Sequence, residues 1–203
     1  IDCTQCGGSG EVTNYIQEAI RVDCPKDEAV INLLDQYDEQ GRVVFWGGFT
    51  ETVDRIFDIG VKAGWGVIRL DGRGWYSNIV TSGIKKNLGQ ACLEAFDNKK
   101  DYPKLMFDGQ PGAGGVGLNL VASSMECFYS NTFRGEDRSQ AIERIHRPGA
   151  DHIRGCIIYD LIHLASDDYV LESNNKKRDL ERLTMGQLRD GIQKCEEKLM
   201  REI

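Results

Sequence analysis

Gly41-Arg42-Val43-Val44-Phe45-Trp46-Gly47-Gly48-Phe49-Thr50 reads as a short apolar strand, Val43 to Trp46, closed on both sides by glycine. An unbroken apolar run of that length suits a strand buried on both faces rather than one half-exposed to water. Thr50 is placed to cap a helix carrying Val53, Ile56 and Phe57. The same alternation recurs. Gly66-Val67-Ile68-Arg69-Leu70 is the next strand, ending at Asp71-Gly72, and a helix with Ile84, Leu88, Cys92 and Phe96 on one side follows it. Lys104-Leu105-Met106-Phe107, Glu126-Cys127-Phe128-Tyr129 and Cys156-Ile157-Ile158-Tyr159-Asp160 are three more strands. Upstream, Val30, Ile31, Leu33, Leu34 and Tyr37 have helical spacing, with Asp27 as the expected cap and Gly41 as the stop. Short apolar strands alternating with amphipathic helices predict an α/β fold, a parallel sheet covered by helices on both faces. No internal repeat interrupts it.

A chain of 203 residues has room for one such domain with extensions, and 40% hydrophobic with 28% charged residues is ordinary for a globular protein. No apolar run approaches the roughly 18 residues of a membrane span, so no membrane partner is expected. The N-terminus lacks the basic-then-apolar pattern of a secretory signal, which points to a cytoplasmic setting. It also lacks an initiator methionine, as a piece of something longer would. A net charge of −7 argues against broad adhesion to nucleic acid but leaves room for a local groove built from a few placed donors. Seven cysteines, an odd number scattered through apparent core segments, fit free thiols better than a disulfide framework.

Cys3-Thr-Gln-Cys6-Gly-Gly-Ser-Gly10 has the form of a metal knuckle, with Cys24 as a third ligand, although a closed zinc site needs a fourth. Bound zinc and plain free cysteines in a linker are both compatible with this stretch. Asp108-Gly-Gln-Pro-Gly-Ala-Gly-Gly-Val-Gly117 is a glycine-rich loop at the end of the third strand. A helix starting at Leu118 would aim its positive end at an anion there. It is no Walker A loop, because no Gly-Lys-Ser/Thr follows, and no acidic Walker B pair is evident. In Gln140-Ala-Ile-Glu-Arg-Ile-His-Arg-Pro-Gly149, helical spacing puts Gln140, Arg144 and Arg147 on one face and Ala141, Ile142 and Ile145 on roughly the other. Pro148 and Gly149 stop the helix. Two permanently charged planar guanidinium groups on one strip suit charge stabilisation on a transferring phosphoryl group. Taken alone they are equally a solvated face, with Glu143 four residues before Arg147. His146, His152 and His163 lie off that strip or near strand ends and are not strong catalytic candidates.

These blocks, in this order, resemble the second RecA-like domain of superfamily-two helicases. The Snf-type (Swi/Snf-like) translocases are the most similar, particularly forms found in phages and prophages. Gly41 to Trp46 through Phe49-Thr50 resembles motif IV, and Arg69-Leu70-Asp71-Gly72 the motif after it. Gly114-Gly115-Val116-Gly117-Leu118-Asn119-Leu120 resembles motif V and Gln140 to Gly149 motif VI. Tyr159 to Ile162 with Asp167 to Leu171 resembles the stretch beyond. The resemblance implies a P-loop NTPase fold without its own Walker A loop. Residues 1–26 would be a linker or partial zinc knuckle, 27–175 the helicase domain and 176–203 a helical extension. Arg144 and Arg147 would be arginine fingers for an ATP, with Mg, gripped mainly by an N-terminal RecA-like lobe, and Gln140 would support the same phosphate network. Gly115, Gly117 and Asn119 would lie near the nucleotide. Phe49, Thr50, Arg73, Gly114 and Val116 would face nucleic acid, DNA rather than RNA by preference. Such a fragment alone would be inactive. Two departures stand out: Gln110-Pro111 replaces the usual Ser or Thr opening motif V, and Ala150 replaces the usual Gln after Arg147-Pro-Gly. Two other classes stay open, a non-catalytic interaction module on the same fold and a zinc-stabilised binding domain.

Overall fold

The computed structural model describes residues 21–81, 87–113, 118–147 and 155–179. Its elements run α1 (Pro25–Gln36), β1 (Arg42–Trp46), α2 (Thr50–Lys62), β2 (Gly66–Asp71), β3 (Gly74–Ser77), α3 (Leu88–Asp97), β4 (Leu105–Gly109), β5 (Met125–Phe128), α4 (Gly135–Ile145) and β6 (Ile157–Asp160). A further helical run covers residues 165–179. The strands form one six-stranded sheet in the order β3-β2-β4-β1-β5-β6. Every pairing is parallel except the β2–β3 hairpin. The expected α/β architecture is therefore present, with β1 at the centre, flanked by β4 and β5.

Successive side chains of a strand point to opposite faces, and here both faces are buried. Along β1, Val44 and Trp46 join a core with Phe107, Phe128, Phe96, Ala141 and Ile145, beneath α3 and α4. Val43 and Phe45 join the other core with Val30, Leu34, Ile56, Met106 and Cys127, beneath α1 and α2. The loop entering β1 is held to close tolerance: Gly41 has φ +66°, and a Cβ there would stand 1.9 Å from the Pro103 carbonyl oxygen. Only glycine takes that conformation and that approach without strain.

Several local expectations change. β3 was not expected: β2 ends at Asp71 as expected, but the chain turns back through Gly72 and Arg73, with Asp71 pairing Gly74. The two connecting residues are Gly72 and Arg73, and Gly74, at φ +96°, opens β3. Asp27 does not cap α1. Cys24 holds the cap position, and Asp27 instead accepts hydrogen bonds from Arg55 Nε and the Tyr129 hydroxyl, both at 2.8 Å. Phe49, not Thr50, is the N-cap of α2. Residues 118–122 form no helix. Leu118 and Leu120 are buried in the core, and Leu120 N–H donates to the Arg144 carbonyl at 3.0 Å. Burying both leucines is worth more than continuing a short helix, so the helix expected to start at Leu118 is absent. The helical run through 165–179 crosses the expected boundary at 175/176. Asn174 donates to the Thr132 carbonyl (2.9 Å) and Lys177 to that of Phe133 (2.8 Å).

Candidate functional site

α4 begins at Gly135, earlier than its apolar spacing suggested, and ends at Ile145, with His146 as C-cap. Arg147 therefore lies beyond the helix, and its expected i+7 relation to Gln140 does not hold. Its Nε donates to the Glu143 carbonyl at 3.0 Å, replacing the expected side-chain ion pair and satisfying an end-of-helix acceptor. The arginine strip is also divided. Arg144 is only 3% exposed and lies with Ala141 and Ile145 on the sheet-facing side, whereas Gln140 is exposed. The reason is Trp46. Its indole is the largest fully buried side chain, and the Arg144 guanidinium sits 5.4 Å from the ring centre. A desolvated cation over an indole gains about 2 kcal/mol, which makes a sheet-facing arginine tolerable.

The electrostatics around Arg144 follow from burial. Burial lowers its pKa, and the nearby Arg147 adds to this, while Asp137 and Glu126 oppose it. Nη1 of Arg144 finds no hydrogen-bond partner among the described residues. Glu126, on β5, is wholly buried and accepts from the Trp46 indole N–H at 2.8 Å. Burial pushes its carboxyl up to about 7 against the pull of Trp46, Arg138 and Arg144. Beside it, Arg138 forms a two-point pair with Asp160 (2.7 and 2.8 Å) and stacks over Phe128 at 4.0 Å.

A second region lies at the carboxyl ends of the strands, where ligands of open α/β sheets bind. Gly48, Gly72, Gln110, Gly112, Thr132 and Arg134 help line a cleft of about 300 Å³. Its walls are tied together: Gly48 N–H donates to Ser130 Oγ at 2.9 Å, and Gln110 N–H to the Leu70 carbonyl at 3.0 Å. A Cβ on Gly48 would come within 2.9 Å of the Thr132 methyl, so glycine permits the closure. Phe49 stands beside it, 61% exposed. α4 starts at this cleft with Gly135 and carries Arg144 in its last turn, so the two regions stand roughly 14 Å apart along the helix.

The other expected site residues are distributed as follows. Thr50 opens α2 beside Phe49. Arg73 is not a free phosphate donor. Its guanidinium is held by Asp54 (2.7 and 2.9 Å) and by Asp71, whose carboxyls its hydrogen bonds keep below the usual range. Asn119 is exposed between two buried leucines. Gly114, Gly115, Val116 and Gly117 lie outside the described residues, as do Cys3, Cys6 and His152. His163 is exposed at the turn before the 165–179 run, where its N–H donates to Asp167. Cys24 is half-buried beside α1, and among the described residues no group of His, Cys, Asp or Glu could hold a metal ion. The zinc expectation gains no support from them. No described helix is long and apolar enough to cross a membrane.

Residue-level reading missed Glu126 and Trp46 as partners of the arginines. An acid inside an otherwise apolar strand, Met-Glu-Cys-Phe, was the available signal.

No family model matches the chain. Three relatives each share 27% identity with it. Over 168 residues, 82% of this chain and 11% of the relative, it matches the CHD3-type chromatin-remodeling factor PICKLE of Arabidopsis thaliana. Over 144 residues, 70% and 17%, it matches the DNA repair and recombination protein RAD54-like of Drosophila erecta. Over 168 residues, 76% and 14%, it matches the ATP-dependent helicase FUN30 of Saccharomyces cerevisiae. The chain thus spans less than a fifth of the length of each of these relatives. A crystal structure of the C-terminal part of the Fun30 ATPase domain superposes with a TM-score of 0.56 at 24% identity, over 72% of this chain and 44% of that one. The fold is thus the expected RecA-like one. These relatives come from a plant, a fly and a yeast, and they lend no support to a phage or bacterial setting.

Proposed function

We propose that this chain is the C-terminal motor lobe of an ATP-dependent DNA translocase or helicase. The carrying observation is the pair of guanidinium groups at the end of α4. Arg144 is buried with one donor unmatched, and Arg147 is half-exposed beside it. An uncommitted, desolvated donor is costly unless an acceptor arrives, and a phosphate oxygen is the acceptor a planar guanidinium suits best. The residues present therefore fit an ATP that an upstream lobe would hold with Mg. Such a nucleotide supplies the phosphoanhydride bond. Arg147 would reach the terminal phosphate from the surface when the lobes close, and Arg144 would add a second positive charge. Gln140, on the exposed side of α4, would act from the outer rim.

The carboxyl-end cleft would serve as the track. Phe49 is 61% exposed at its edge, placed to stack on a base or sugar. Thr50 would assist there, and the glycine loop with Gly114, Gly115, Val116 and Gly117, followed by Asn119, would join track to nucleotide. Arg73 enters this reading only if DNA displaces Asp54 from it.

The test uses the whole protein with its upstream lobe. DNA-stimulated ATP hydrolysis should fall about 10³-fold in Arg147→Ala, in line with other arginine fingers, and Arg147→Lys should not restore it. The isolated chain should hydrolyse no ATP. Turnover by the chain alone, or full activity in Arg147→Ala, would sink the proposal; the second outcome would favour a non-catalytic interaction module.

A further inference from the structure

The Trp46 indole lies between two opposite buried charges. Its edge donates to Glu126 Oε2 at 2.8 Å, and its face carries the Arg144 guanidinium at 5.4 Å. Phe107 packs edge-on against the same ring, with centroids 5.5 Å apart. Each charge retains one buried polar atom with no hydrogen-bond partner among the described residues, Glu126 Oε1 and Arg144 Nη1. The two charges meet through the ring rather than by pairing directly.

The sheet does not need an acid at this position. Glu126 registers with Val44 on one side and Ile158 on the other, and its neighbours along β5 are Met125 and Cys127. An apolar side chain would serve packing better, since burying a carboxyl with one oxygen unmatched is costly. What Glu126 does supply is a fixed acceptor at the indole edge. Donation from the indole N–H sets the ring plane and pushes electron density into the π face that meets the cation.

We infer that Glu126 is the positioning residue for Arg144, acting through the Trp46 indole, so that acid, ring and guanidinium form one relay that sets where the buried finger points. This rests on the reading of Arg144 as a finger. Loss of the acid frees the indole to turn, and the guanidinium loses its platform while the fold remains.

The relay is tested first in the chain itself, by nuclear magnetic resonance of the tryptophan indole and arginine side-chain N–H groups. There are three tryptophans, so Trp46 is assigned by Trp46→Phe. Glu126→Leu, which keeps the core apolar, should shift the Trp46 indole resonance, speed its solvent exchange, and move the Arg144 Nε resonance. Glu126→Gln retains a carbonyl acceptor and should leave both close to wild type. In the whole protein, Glu126→Leu should lower kcat for ATP hydrolysis about tenfold with KM little changed, and Glu126→Gln should recover most of it. Glu126→Leu added to Arg144→Ala should cost nothing further. An Arg144 resonance unmoved by Glu126→Leu, or additive losses in the double variant, overturns the relay. Full activity in Arg144→Ala instead overturns the finger assignment, and the resonance experiment still decides whether Glu126 positions Arg144.

Discussion

Asp108 gives the sharpest stability prediction. It lies at the end of β4, facing α2, fully buried, and neither carboxyl oxygen has a hydrogen-bond partner among the described residues. Burial pushes its pKa well above the ordinary 3.8. Arg69 and Arg73 pull it back, and Asp54 and Asp71 push it further up. The folded state therefore holds a proton that the unfolded chain releases near 3.8. Between that value and the raised folded one, the unfolded state binds fewer protons, so stability must fall as pH rises, by at most about 1.4 kcal/mol per pH unit. Asp108→Asn removes the titration and keeps the shape. At pH 4 or below the two proteins should be nearly equal, and the variant should become progressively the more stable as pH rises towards 7, by no more than that slope of about 1.4 kcal/mol per pH unit. Urea unfolding at a series of pH values, followed by tryptophan fluorescence, measures the difference directly. A gap that does not widen with pH would refute the reasoning, because it would mean that Arg69 and Arg73 keep Asp108 ionised in the folded protein.

Three further outcomes follow from the geometry. Arg42 is wholly buried and donates to the Ala95, Phe96, Gly41 and Pro103 carbonyls, so it ties the start of β1 to the last turn of α3; Arg42→Ala should lose about 3–5 kcal/mol in denaturant unfolding, most of it from orphaned carbonyls and the void. Gly41→Ala, with φ +66° and a Cβ 1.9 Å from backbone oxygen, should lower the melting temperature markedly or prevent folding, whereas Gly64→Ala, with positive φ but open space around it, should cost only about 1 kcal/mol. Phe49→Ala should weaken DNA binding by the whole protein several-fold, about 1–3 kcal/mol if the ring stacks, without changing the slope of affinity against salt.

Much of the fold could be read before any coordinate. The apolar runs at Val43–Trp46, Gly66–Leu70 and Leu105–Phe107 became β1, β2 and β4 because a doubly buried strand leaves an unmistakable unbroken stretch. β3 escaped because its burial is partial and its signal was a two-residue turn. The arginines of the motif were legible as residue types, but not in their placement. Periodicity carried the helix through Arg147, and it stops at Ile145, where Arg147 turns back onto the Glu143 carbonyl.

From the sequence alone came the strand-and-helix order, the parallel sheet and the residue types at the chemistry, because burial on both faces and helical spacing are local, periodic constraints. Only the tertiary structure decided that Arg144 is buried and Gln140 is not, that Arg73 is spoken for by Asp54 and Asp71, and that Glu126 stands behind Trp46. Asp71 is a near neighbour of Arg73, but Asp54 lies 19 positions from it, and Glu126 meets Trp46 across 80. No pattern within a single helix or strand encodes which aromatic face or carboxylate a buried charge will meet.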